Sequence, residues 1–116
     1  MRFWTIAAIA AAFFSSAAQA AKTDLELISS QAAHHFFVVS KPWILDSSYL
    51  EGVASKFCSG KRACVAHFWE RGTPAAKALP MSDAQAKAEM ATFQGNRMLW
   101  RCGKYKVATD KNCFSD

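Results

Sequence analysis

Arg62-Ala63-Cys64-Val65-Ala66-His67-Phe68-Trp69-Glu70 is the stretch on which the architecture turns. Its side chains alternate between two faces, and both faces carry apolar groups. Ala63, Val65 and Trp69 fall on one side, with Cys64, Ala66 and Phe68 on the other. A strand with one wet face alternates apolar with polar residues. One that is apolar on both faces reads as central, covered from two sides.

Working outward from it, the upstream neighbour reads as a helix. Ser48-Tyr49-Leu50-Glu51 has the form of a capping box, and Tyr49, Leu50, Val53, Ala54, Phe57 and Cys58 form one stripe. Ser59-Gly60 supplies its stop. Earlier still, His34 to Val39 reads as a buried strand closed by Lys41-Pro42, and Thr23 to Glu26 reads as the cap of a short helix reaching Ala32. Downstream, Arg71 to Met81 holds Gly72, Pro74 and Pro80 and reads as a long irregular segment. Ser82-Asp83-Ala84-Gln85 opens a further predicted helix carrying Ala86, Met90 and Phe93, which Gly95-Asn96 ends. Arg97 to Gly103 then alternates regularly as a strand, continued by Lys104 to Ala108. The sum is a small single α+β domain: a three- to four-stranded sheet, two or three helices mainly on one face, and two disulfides.

The chain has 116 residues, and the first twenty read as a secretory signal. Arg2 is the positive start, Trp4 to Phe14 the apolar run, and Ala18-Gln19-Ala20 the small-x-small cleavage site. That run falls short of the roughly 20 residues a membrane span needs. Residues 21–116 form the exported domain, in the periplasm or the medium. Four cysteines in such a chain read as two bridges, Cys58–Cys64 and Cys102–Cys113, each closing a short loop. The rival reading is a metal site from Cys58, Cys64 and His67. C-x5-C-x2-H is not a zinc spacing, so neither metal nor cofactor is expected.

Fourteen basic residues face nine acidic ones, and loss of Arg2 leaves a surplus of four. The bases are scattered rather than interleaved with aromatics along a stripe, which speaks against nucleic acid. Lys61 and Arg62 sit within the predicted Cys58–Cys64 loop. Arg97 and Arg101 decorate the last strand, and the two groups merge into one basic face if their strands are neighbours.

His67 is the one candidate catalytic residue. Glu70, three positions on, faces the opposite way along a strand, so a carboxylate partner must come from elsewhere. His34 and His35 also face opposite ways, which disfavours joint chelation by that pair. No G-x-S-x-G elbow or phosphate-cradling glycine loop is present. Size, export and a constrained loop make the chain broadly similar to bacterial periplasmic inhibitors of lysozymes, which plug an enzyme cleft with a loop. No motif carries that likeness, and no residue role is transferred.

The leading expectation is a non-enzymatic binding module that engages a protein or an anionic envelope component through Lys61, Arg62, Arg97 and Arg101. The alternatives are a small hydrolase using His67 with a carboxylate, and an inhibitor or toxin-neutralising protein of the envelope.

Overall fold

The computed structural model describes residues 24–105. The expected signal segment, the continuation to Ala108 and Cys113 lie outside the described residues.

Among the described residues, five strands form one mixed sheet in the order β1-β2-β3-β4-β5, rather than the three or four expected. They are β1 (Leu25–Gln31), β2 (His34–Val39), β3 (Val65–Glu70), β4 (Ala91–Gln94) and β5 (Arg97–Trp100). Helix α1 (Ser47–Cys58) connects β2 to β3, and the short helix α2 (Asp83–Ala88) precedes β4. Only β2 and β3 pair in parallel; the other neighbours are antiparallel. β3 occupies the centre, as its two apolar faces require.

Alternation along the strands builds two cores. Phe37, Val39, Ala66, Phe68, Ala91, Phe93 and Met98 pack with Leu50 and Ala54 of α1 and with Ile44. On the reverse face, Phe36, Val38 and Trp69 are covered by Ala76, with Ala75, Leu79, Met81 and Ala88 against them. The irregular 71–82 segment and α2 therefore form the second layer. The two helices lie on opposite faces, not mainly on one. Trp69 is fully buried, Trp100 is half-buried and Trp43 is exposed.

Several boundaries differ from the sequence reading. The segment beginning at Asp24 is strand, not helix: it meets β2 through a two-residue turn in which Ala32 takes φ 54°. A left-handed alanine costs about 1–2 kcal/mol and carries no glycine signal. The cap of α1 is Asp46, whose side chain accepts from Tyr49 N at 3.0 Å, so the Ser48–Glu51 box is not used. The Ser82–Gln85 capping box is real, but α2 stops at Ala88 because the next residues pair with the free edge of β3. Strand β3 starts at Val65 rather than Arg62, and β5 ends at Trp100 rather than Gly103. Beyond β5, the chain passes so close to α2 that a Cβ on Gly103 (φ 47°) would stand 2.5 Å from the Ala88 carbonyl oxygen.

One disulfide is found among the described residues rather than two. Cys58–Cys64 joins the end of α1 to the segment entering β3. A loop that short contributes about 2 kcal/mol in the chain-entropy model. Cys102 is buried, and its expected partner Cys113 is not described. No described helix is long and apolar enough to cross a membrane.

Candidate acid–base site

Strand register assembles a polar chain on the face covered by the 71–82 segment. Phe36, His67 and Thr92 are register partners across β2, β3 and β4. His34, two residues before Phe36, shares their face. Its Nδ1 lies 2.9 Å from His67 Nε2, and His67 Nδ1 lies 2.7 Å from Glu89 Oε2. Glu89 is the cap residue after α2, held in extended backbone. The peptide behind it is pinned on both sides: Met90 N donates to Phe68 O at 2.8 Å, and Met90 O accepts from Arg101 N and Cys102 N.

With Glu89 ionised and both rings neutral, one set of proton directions satisfies every contact. An ionised carboxylate only accepts, so His67 Nδ1 donates to Glu89. The neutral His67 ring then accepts at Nε2, and His34 Nδ1 must donate to it. The lone pair of His34 Nε2 is left over. This nitrogen makes no hydrogen bond and is not among the buried unpaired atoms of the described residues, so it meets solvent. The acid end is equally ordered. Thr92 Oγ1 donates to Glu89 Oε2 at 2.5 Å, while Arg101 Nε donates to Thr92 Oγ1 at 3.2 Å and stands 3.5 Å from Glu89 Oε1.

Glu89 is 2% exposed and His67 6%. Burying that carboxylate is tolerable because three donors surround it. The His67 ring stacks against Phe36 (centroids 5.1 Å) and Trp69 (6.0 Å). It cannot meet a substrate. The more accessible imidazole is His34, to which His67 is hydrogen-bonded.

His35 faces the other layer. Ser30 Oγ lies 2.8 Å from its Nδ1, and Phe57 meets its ring edge-on at 4.8 Å. Burial, with smaller contributions from Lys61, His34 and His67, lowers its pKa below the usual histidine value. The unfolded chain therefore binds more protons here as pH falls below about 6.5. Stability is expected to drop on acidification through that window. His35→Gln should flatten the slope of urea-derived stability between pH 7 and 5; an unchanged slope removes His35 as its source.

The other sequence candidates scatter. Glu70 lies on the opposite face from His67, as alternation requires, with Oε1 at 3.4 Å from Lys104 Nζ. β4 separates β3 from β5, so the strands that lead from Arg62 and Arg97 are not the neighbours the sequence reading required. Arg101 is committed to Glu89 and Thr92. Lys61 places its Nζ 4.9 Å above the Phe57 ring. Lys61 and Arg62 do line a cavity of about 260 Å³, together with Cys58, Ala63, Cys64, Val65, Gln94 and Gly95. Among the described residues, no three His, Cys, Asp or Glu side chains are arranged to hold a metal.

Sequence reasoning singled out His67 but missed Glu89 and the use of His34. The available signal for Glu89 was a lone carboxylate within the apolar run Ala88-Glu89-Met90-Ala91. No family model, curated protein or solved structure matches the chain.

Proposed function

We propose that the chain is a small exported hydrolase in which His34 handles protons and His67 and Glu89 position it. The observation that carries this reading is the ordered Glu89–His67–His34 chain ending in an accessible ring nitrogen. In the reaction, His34 Nε2 takes a proton from water as the water oxygen attacks an ester centre. The bond to the leaving oxygen breaks, and the imidazolium returns the proton to that oxygen. Throughout, His34 Nδ1 stays hydrogen-bonded to His67, whose other nitrogen faces the carboxylate. The ring therefore need not reorient between the two transfers. Acid–base catalysis of this kind is worth about 10²–10⁴-fold.

The test is hydrolysis of p-nitrophenyl acetate by residues 21–116 across pH 5–9, beside His34→Ala. His34 is half-buried at the start of its strand, so the variant should fold and lose turnover by about 10²–10⁴-fold. Equal rates in the two proteins would end the acid–base reading.

A second reading, a binding module for a protein or anionic envelope component, is favoured by the cavity edged by Lys61 and Arg62 within a disulfide-closed loop. Such a loop is pre-organised, which lowers the entropic cost of association. Under that reading, Lys61→Ala with Arg62→Ala weakens capture of the partner and its salt dependence, while His34→Ala leaves both unchanged.

A further inference from the structure

We propose that the acid–base site takes an ester bearing an oxyanion, gripped by Arg97 and Arg62; this rests on the reading of His34 as the proton-handling group. The placement comes from register. Gln31, His34, Val65, Gln94 and Arg97 form one row across all five strands. Directly opposed residues share a face, so Arg97 and Gln94 stand on the same side of the sheet as His34. Three strand spacings put the Arg97 Cα about 14 Å from that of His34. A substrate spanning the two would place its reacting centre at the base and its charge at the cation. Val65, the register partner of His34, also lines the cavity edged by Arg62 and Gln94, which opens at the same end of the sheet.

Charge bookkeeping among the arginines points the same way. Of the four described, Arg71 is tied to Glu26 at 3.0 Å and Arg101 stands beside Glu89. Arg62 and Arg97 are both exposed and make no hydrogen bond or ion pair among the described residues. No acidic residue lines the cavity at their end. Guanidinium groups present a planar fork suited to the paired oxygens of a phosphate or carboxylate. Gln94 adds a neutral amide donor in the row between Arg97 and His34.

The experiment compares three p-nitrophenyl carboxylic esters: neutral p-nitrophenyl acetate, the p-nitrophenyl ester of phosphoglycolate, which keeps a free phosphate, and the mono-p-nitrophenyl ester of succinate, which keeps a free carboxylate. The Arg62→Ala, Arg97→Ala double variant should raise KM for the anionic esters about tenfold to a hundredfold with kcat preserved, and leave the acetate unchanged. Whichever anionic ester shows the effect identifies phosphate or carboxylate as the group recognised. Inorganic phosphate should compete with the phosphoglycolate ester in the native protein and not in the double variant. Equal effects on neutral and anionic esters, or none, overturn the oxyanion site while leaving His34 in its role. If no ester is cleaved in a His34-dependent way, titration calorimetry with inorganic phosphate and with succinate decides separately. Binding abolished in the double variant upholds the oxyanion site and sinks the acid–base reading, and absence of binding sinks both.

Discussion

Glu89→Gln is expected to cut ester hydrolysis about 10²–10⁴-fold while the protein stays folded. Glu89 Oε2 accepts from both His67 Nδ1 and Thr92 Oγ1, and Oε1 faces Arg101. An amide has one oxygen and an NH2 group, so it fails at one end or the other. With its oxygen toward His67, the NH2 opposes the Arg101 guanidinium, donor against donor. Turned round, the NH2 meets His67 and forces that ring into its other tautomer. His67 Nε2 then carries the proton, His34 Nδ1 must accept it, and the proton of His34 moves to Nε2. The outward nitrogen becomes a donor and no longer serves as a base. One misplaced hydrogen bond, two rings away, thus removes the chemistry. The stability cost is that of an imperfectly satisfied buried group, about 1–3 kcal/mol. Ring 15N shifts of His34, read beside the pH–rate profile, distinguish this from a purely structural effect. Unaltered His34 tautomer and activity within tenfold of the native protein would reduce Glu89 to a packing role.

Trp69→Ala is expected to cost about 3–5 kcal/mol of unfolding free energy, read from urea denaturation. Trp69 is fully buried, stacks on Phe36 at 6.1 Å, and donates its indole N–H to Gln85 O at 2.8 Å. Removing it opens a cavity beneath the 71–82 segment and frees the carbonyl that moors α2. A domain of this size has about 5–15 kcal/mol in total, so the loss approaches the whole for a chain at the lower end. A cost under about 1.5 kcal/mol would mean that this layer is not part of the cooperative unit. Phe36 and Trp69 also bracket the His67 ring, so the same substitution loosens the positioning of His34.

What the sequence disclosed follows the physics of each signal. The two-sided apolar pattern of Val65–Glu70 placed β3 at the centre, because burial on both faces leaves that pattern and little else does. His34–Val39 and the stripe of α1 were legible for similar reasons. Segment 25–31 was not, since Thr23–Glu26 imitates a cap and the Ala32 turn has no glycine to mark it. β4 was read as helix because Met90 and Phe93 fit a helical stripe as well as a strand. Gly95-Asn96 between alternating residues was the overlooked hairpin signal. Local pattern was outweighed by the open edge of β3, which residues 91–94 complete. The polar chain was half legible. His67 was named and its need for a distant carboxylate understood, but the pairing of β2 with β3 that brings His34 to it is non-local. No spacing along the chain encodes it.

That parallel pairing also sets when the two histidines meet during folding. The β1–β2 and β4–β5 hairpins close over a few residues, whereas His34 and His67 are 33 positions apart and meet only when the helical crossover docks. A nascent chain can hold both hairpins with the two rings still apart. Under the hydrolase proposal, activity waits on that docking.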